Sequence, residues 1–127
     1  MQNNSKIALL TETWLDDSHL DAEIQNHVTD FSVFRCDRSN RARGGVAALI
    51  SNKIICETIH NYSNGFCDLL IPNLKSLKIC INLVYRPPDQ TMPNSSFTEI
   101  CDMIKSKSSD LDPSYTHLIF GETNSLV

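Results

Sequence analysis

Acidic, amide and hydroxyl side chains follow apolar segments at three places in the sequence. Glu12 comes shortly after the apolar run IALL, Tyr85 and Arg86 precede two prolines, and Glu122 and Asn124 follow the segment HLIF. A carboxylate at a strand end can bind magnesium, which proteins hold through one or two carboxylates while phosphate and water complete the octahedron. A tyrosine hydroxyl, a guanidinium and an amide can bind phosphate oxygens, and a second carboxylate can orient or deprotonate a water. These residue types indicate phosphate chemistry, although each one alone is also typical of an ordinary strand end or turn.

The apolar segments around these residues are typical of a mixed α/β domain. We predict strands over seven segments, which are 6–12, 31–35, 44–51, 53–59, 66–71, 77–85 and 116–121. The continuous apolar run in the first segment indicates a strand that is buried on both faces. Paired glycines begin the third segment, and we predict that the third and fourth segments form a hairpin. The fifth and sixth segments are predicted to form a second hairpin, with its turn at Pro72 and Asn73.

Two segments carry helix signals. Segment 16–26 has Ser18 as its N-cap and acidic residues in its first turn, which predicts a short helix. The stretch Ser96–Glu99 matches a capping box, and an apolar stripe runs from Phe97 to about Lys107. Strands mixed with helices and successive hairpins predict an α/β sandwich rather than a regular doubly wound sheet. In such folds ligands bind outside strand ends, where the residues described above lie.

The composition indicates one soluble domain. The chain has 127 residues, of which 41% are hydrophobic and 20% charged, so neither a disordered nor a fibrous protein is expected. The longest apolar runs are too short to span a bilayer, and we expect no membrane partner. Five cysteines without a CxxC pair favour buried, reduced thiols and therefore an intracellular location.

Positive charge is concentrated in one short segment. The formal net charge is -4, which argues against a protein that holds nucleic acid through bulk positive charge. Nevertheless Arg35, Arg38, Arg41 and Arg43 fall within nine residues that contain a single acid, Asp37. The segment is either an ordinary solvated loop or a local contact site for nucleic acid.

Five strings of the sequence, in their order, resemble one superfamily. They are LLTETWL at 9–15, RGGVAALIS at 43–51, CDLLI at 67–71, VYRPP at 84–88 and HLIFGETN at 117–124. These strings make the chain similar to members of the endonuclease/exonuclease/phosphatase superfamily. ETWL and YRPP make it most similar to the endonuclease domain of non-LTR (LINE-type) retrotransposons. The resemblance implies a four-layer α/β sandwich that cleaves phosphodiester bonds with a divalent metal, Mg²⁺ or Mn²⁺, and that nicks target DNA to prime reverse transcription.

The resemblance also assigns roles to residues. Glu12 matches the metal-binding glutamate of the family, and Tyr85 matches the tyrosine that contacts the scissile phosphate. Asn124 matches the amide that holds the phosphate, and Glu122 stands where the family has the aspartate that activates water. FGETN departs here from the usual GDFN, and the longer glutamate must retract its carboxylate to reach the same water. Arg86 is an expected nucleic-acid contact, together with Arg38, Arg41 and Arg43 of the basic segment.

Other parts of the family pattern have no counterpart in the sequence. The family begins with a strand that bears an asparagine and ends with an aspartate and an Asp-His pair. We therefore expect residues 1–127 to be the N-terminal half of such a domain, inactive alone. The expected partners are DNA and a reverse transcriptase domain of the same parent polyprotein, with a nuclear location if the retroelement is active. Two alternatives are a non-catalytic nucleic-acid-binding remnant and a phosphatase of the same superfamily.

Overall fold

The computed structural model of the chain describes residues 6–38, 44–87 and 94–122. Within these ranges the chain forms seven strands, two α-helices and one short 3₁₀ helix. They are β1 (Ile7–Thr11), α1 (Asp21–Gln25), β2 (Phe31–Cys36), β3 (Val46–Ser51), β4 (Cys56–Ser63), β5 (Asp68–Leu74), the 3₁₀ helix (Lys75–Leu77), β6 (Ile79–Tyr85), α2 (Asn94–Ser109) and β7 (Thr116–Glu122). The fold is therefore mixed α/β, as predicted.

The strands form two separate sheets. One has the order β1-β3-β2 and is antiparallel throughout. The other has the order β4-β5-β6-β7, in which β6 and β7 are parallel and the remaining pairs antiparallel. Since β7 follows β6 through α2, the parallel pair has the helical crossover that such strands need.

Two apolar cores hold these elements together, and alternate residues of β5 belong to different cores. Leu70 and Leu74 lie in a cluster with Val46 and Ile50 of β3, so this cluster joins the two sheets. The intervening residues of β5, such as Leu69, pack on the opposite face with residues of α2. This division follows from the alternation of side chains along a strand. The four-layer arrangement stays a prediction.

Helix α2 packs through the predicted apolar stripe, but it begins earlier than predicted. Ile100 is fully buried, and Phe97 and Ile104 pack beside it. The helix starts at Asn94, so Ser96 lies inside it and the predicted capping box is wrong. The backbone carbonyl of Ser96 accepts a hydrogen bond from the side-chain amide of Asn64 at 3.0 Å, which attaches the first helical turn to the loop before β5.

The first predicted hairpin is wrong, because β3 and β4 belong to different sheets. Strand β3 lies between β1 and β2, so both of its edges are already paired. The second hairpin, β5 with β6, is confirmed, but its turn lies at Lys75–Lys78. Pro72 lies inside β5 opposite Thr58, and the β4–β5 register shifts between Thr58 and His60. A proline cannot donate to the ladder, and this irregularity accommodates it.

Two predictions near the N-terminus are also corrected. Strand β1 is at the edge of its sheet and is only partly buried, with 45% of Leu10 exposed, so it is not buried on both faces. Helix α1 begins at Asp21 without a side-chain cap, because Ser18 donates its hydroxyl and its amide to the carboxylate of Asp16. No helix in the described ranges is long and apolar enough to cross a membrane. All five cysteines are free; Cys36, Cys67 and Cys80 are buried as predicted, whereas Cys56 and Cys101 are only partly buried.

Candidate functional site

The ends of β1, β6 and β7 meet at one place, where the two sheets adjoin. Tyr85 and Glu122 are opposite each other in the β6–β7 pair. The Thr11 hydroxyl donates a hydrogen bond to Glu122 Oε1 at 2.9 Å, and the Tyr85 hydroxyl is hydrogen-bonded to the side chain of Glu12. The structure thus brings together Glu12, Tyr85 and Glu122, which were predicted to bind metal, to contact phosphate and to act on water, respectively. Thr11, which links the two sheets here, had no predicted role.

A left-handed turn after β1 places Glu12. The φ angles of Glu12 and Trp14 are 53° and 57°, values that residues other than glycine rarely adopt. Backbone bonds to the paired glycines hold this turn, with Trp14 N donating to the carbonyl of Gly44 at 2.9 Å and Thr13 N to that of Gly45 at 3.3 Å. Both glycines have φ of 87°, a value for which glycine is the default residue. Gly44 and Gly45 therefore hold the turn that carries Glu12.

A glycine of the FGETN string places Glu122. Gly121 has φ of 136°, and a Cβ atom there would lie 1.7 Å from the carbonyl oxygen of Val84 on β6. The strands can approach this closely only because residue 121 has no side chain. The carbonyl oxygen of Glu122 accepts a hydrogen bond from the amide of Arg86 at 2.7 Å, which continues the pairing past the end of β6.

The environment of Tyr85 keeps its hydroxyl protonated. Only 3% of the residue is exposed, and burial is the largest cause that raises the pKa of its phenol. The hydrogen bond to Glu12 and the charges of Glu12 and Glu122 also raise it, Arg38 opposes them, and together these effects bring the pKa to about 12. A protonated phenol donates one hydrogen bond, so Tyr85 can act as a donor to an oxygen of a bound phosphate when it releases its bond to Glu12.

Arg38 lies beneath Tyr85 and is not on an exposed loop. Its side chain is only 4% exposed, and it binds the fully buried carboxylate of Asp68 through Nε and Nη2, both at 2.8 Å. The guanidinium also lies over the ring of Tyr85, 5.9 Å from its centroid. The solvated-loop alternative is therefore wrong for Arg38. A contact between this residue and nucleic acid stays a prediction, and such a contact would have to release Arg38 from Asp68.

The sequence analysis gave no role to Asp68, although the signal was present. Asp68 is the one charged residue of the string CDLLI, which otherwise consists of residues expected in a core. A buried acid requires a partner, because an unpaired charge in a protein interior is costly. The basic segment that precedes β3 is where that partner could have been sought.

The structure does not show the side chains of the remaining predicted residues at this site. Arg41, Arg43 and Asn124 lie outside the described residues. The guanidinium of Arg86 lies over the ring of Phe97 on α2, 4.7 Å from its centroid. Their roles in binding nucleic acid or phosphate stay predictions.

The side chains present fit a hard divalent cation only in part. Glu12 and Glu122 supply two carboxylates beside Tyr85. The nearby positive charge of Arg38 is already paired with Asp68, so it does not neutralise them. The described residues contain no group of three or more His, Cys, Asp or Glu that could hold a metal. One or two carboxylates are nevertheless what magnesium takes from a protein when a phosphate substrate and waters complete its shell.

Comparisons with known proteins give a fold likeness only. No family model matches the sequence, and no curated protein matches it either. A crystal structure of truncated Caenorhabditis elegans TDP2 matches 97% of this chain and 51% of its own, with a TM-score of 0.56 and 15% identity. A structure of TDP2 from C. elegans matches 97% of this chain and 39% of its own, with a TM-score of 0.57 and 16% identity. The chain thus spans about half, or less, of the solved chains that it matches, and within that span its two-sheet α/β fold is similar to that of TDP2.

Proposed function

We propose that this chain carries part of the active site of a divalent-metal-dependent enzyme that cleaves phosphodiester bonds in DNA. The observation that carries the proposal is the convergence of Glu12, Tyr85 and Glu122 from three strands. Glu12 and Glu122 are 110 positions apart in the sequence, with Tyr85 between them, and the motif resemblance assigned a role to each of the three. The likeness of the fold to the TDP2 structures supports membership of the endonuclease/exonuclease/phosphatase superfamily.

The finer assignment rests on the motifs alone. ETWL and YRPP favour a LINE-type endonuclease that nicks target DNA and acts with a reverse transcriptase domain of the same polyprotein. Such an enzyme acts in the nucleus and uses Mg²⁺ or Mn²⁺. We further propose that residues 1–127 alone do not catalyse the reaction, because the Asp-His pair of that family has no counterpart in the sequence.

Each residue of the site has a distinct part in this chemistry. Glu12 would hold the metal, which when bound neutralises charge on the phosphate. Tyr85 donates its phenolic proton in a hydrogen bond to a phosphate oxygen, for which its protonated state suits it. Glu122 orients or deprotonates the attacking water, and Asn124 donates to a second phosphate oxygen. Thr11 holds the Glu122 carboxylate at this edge of the site.

Metal binding can be measured on the chain itself with Tb³⁺, a hard cation that takes oxygen ligands. The sequence has a single tryptophan, Trp14, two positions after Glu12, and it can sensitise the luminescence of a Tb³⁺ ion bound nearby. We expect Glu12→Gln to weaken Tb³⁺ binding at least tenfold and excess Mg²⁺ to displace the ion. Glu57→Gln is the matched control, because Glu57 is an exposed glutamate on β4 that pairs with Lys75 of the 3₁₀ helix. Equal affinities for both variants would remove the metal site from the proposal.

Activity is tested by nicking of supercoiled plasmid in the presence of Mg²⁺. We expect the chain alone to show no nicking above a Glu12→Ala variant. Joined to the downstream half of a LINE-type endonuclease domain, it should nick DNA in a metal-dependent manner, and both Glu12→Gln and Tyr85→Phe should abolish this. Faster turnover of a phosphomonoester than of plasmid by the joined protein would instead indicate a phosphatase.

A further inference from the structure

A buried ion pair outside the proposed catalytic set connects two residues of the site. Asp68 is fully buried, and its carboxylate accepts three hydrogen bonds of 2.8 Å. Two come from the guanidinium of Arg38, and the third comes from the backbone amide of Gly45. Asp68 also stands directly opposite Tyr85 in the β5–β6 pair. Asp68 therefore lies next to the site, and its contacts with Arg38 and with Gly45 connect it to two residues of the site.

The first connection leads to Tyr85. The guanidinium of Arg38 lies over the Tyr85 ring, and the carboxylate of Asp68 holds that guanidinium in a two-pronged contact. Such a planar contact fixes orientation as well as distance. The guanidinium also fills the space beside the glycine turn, where a Cβ atom on Gly44 would lie 2.6 Å from it. One face of the Tyr85 ring consequently packs against a guanidinium that Asp68 holds in place.

The second connection leads to Glu12. Asp68 holds the amide of Gly45, and the carbonyl groups of Gly44 and Gly45 accept the amides of Trp14 and Thr13. These two amides belong to the left-handed turn that begins at Glu12. A strained turn of this kind persists only where its surroundings hold it. Asp68 is thus the common anchor of the Glu12 turn and of the residue packed on Tyr85.

We propose that Asp68, with Arg38, is a positioning residue that sets Glu12 in the geometry needed to hold a hard cation and Tyr85 in the geometry needed to donate to a phosphate oxygen. This inference rests on the function proposed above and adds to it two buried residues that act through Glu12 and Tyr85, so for Arg38 it replaces the contact with nucleic acid that the sequence predicted. Burial of an ion pair is weak evidence for a role in stability, because the cost of desolvation offsets the attraction. Positioning gives this pair a role that apolar side chains of similar volume could not fill. Groups that orient metal ligands change metal affinity by about 10–100-fold when they are lost.

The test compares a broken pair with a pair that is removed completely. Asp68→Leu alone leaves the Arg38 charge buried without its partner, so we expect a large fall in the melting temperature. The double variant Arg38→Met/Asp68→Leu removes both charges at similar volume, and we expect it to recover most of that fall. We expect Tb³⁺ binding by the double variant to remain at least tenfold weaker than in the wild type. The matched control Glu57→Gln/Lys75→Met removes an exposed ion pair and should bind Tb³⁺ as the wild type does.

Recovery of Tb³⁺ affinity together with the melting temperature would overturn the proposal, since the pair would then serve stability alone. A second readout needs no metal. In the double variant we expect the backbone amide signals of Glu12 and Thr13 and the ring signals of Tyr85 to shift in NMR spectra, while the amides of β4 stay in place. If the wild type does not bind Tb³⁺ through Glu12, the proposed metal site fails, and the NMR result alone decides whether Asp68 positions these residues. Unchanged signals at Glu12 and Tyr85 would reject the positioning role.

Discussion

Thr11 Oγ1 donates a hydrogen bond of 2.9 Å to Glu122 Oε1, across 111 positions of sequence. Thr11 ends β1 in the three-stranded sheet, and Glu122 ends β7 in the four-stranded sheet. The bond therefore ties an edge strand of one sheet to an edge strand of the other at the point where the candidate site lies. It also fixes one oxygen of the carboxylate that we propose to act on water.

We expect Thr11→Val to lower the free energy of unfolding by about 1 kcal/mol, because it removes a hydrogen bond at a partly exposed position. A double-mutant cycle with Glu122→Ala, measured by chemical denaturation, should give a coupling energy of about 0.5–1.5 kcal/mol. Thr58→Val, on an exposed position of β4, is the matched control and should show no coupling to Glu122→Ala. Additive effects of Thr11→Val and Glu122→Ala would mean that the bond contributes nothing to stability.

Tyr85 predicts a loss of stability at high pH. The pKa of its phenol is raised to about 12 in the folded chain, first by burial and then by Glu12, from an ordinary value of about 10. Because the folded pKa is the higher one, this contribution to stability is complete below about pH 10 and is lost as the pH rises through about 12. Denaturation curves of wild type and Tyr85→Phe should diverge over this range. Parallel pH profiles of the two proteins would contradict the raised pKa.

Gly121→Ala should destabilise the chain more than an ordinary surface substitution does. The φ angle of 136° is unfavourable for alanine, and the new Cβ atom would meet the Val84 carbonyl. We expect a loss of about 2 kcal/mol or more in chemical denaturation, since β7 must move away from β6. Thr116→Ala, at the start of the same strand, should cost less than about 1 kcal/mol. Similar losses for both variants would show that β7 can separate from β6 at little cost.

Local patterns predicted most elements but not their assignment to sheets. The positions of β2, β3 and β7 follow from apolar runs, which a reader of the sequence can see. The error at β3 and β4 arose because adjacency in sequence favours a hairpin, whereas pairing depends on which strand edges remain open in the tertiary fold. Pro72 was placed in a turn because proline followed by asparagine is typical of turns. Its position inside β5 depends on an irregularity in the neighbouring strand β4, and the residues around Pro72 give no sign of that irregularity.

The site was predictable as a set of residues but not as a network. Glu12, Tyr85 and Glu122 were found through motifs, and the structure brings them together, while their roles stay predictions. Arg38 was grouped with its arginine neighbours because the single acid of CDLLI indicates that a buried partner is needed but not which arginine supplies it. The roles of Asp68 and Thr11 depend on contacts between strands of different sequence regions. Only the folded arrangement brings such contacts into view.

The free edge of β7 predicts self-association. All seven residues of β7 are exposed, including Ile119 at 65%, and in the described ranges its outer edge pairs with no strand. Long apolar edge strands promote association, and an edge lysine opposes it. We expect Ile119→Lys to raise severalfold the concentration at which light scattering detects aggregates. Ile55→Lys is the matched control, because Ile55 is equally exposed at 64% but precedes β4. Equal effects would indicate that general charge, rather than the β7 edge, governs association.

The glutamate at position 122 gives the sharpest test of the proposed chemistry. Its carboxylate is one methylene farther from the backbone than that of the aspartate in the LINE-type motif, and a displaced group can cost about a hundredfold in rate. In the chain joined to a downstream endonuclease half, Glu122→Asp should therefore raise the nicking rate by up to about a hundredfold. Glu12→Asp, the matched shortening of the other carboxylate, should lower the rate. If Glu122→Asp is no faster than the wild type, Glu122 either reaches the water already or does not act on it, and Glu122→Gln separates these cases because only a residue that acts on the water would lose activity.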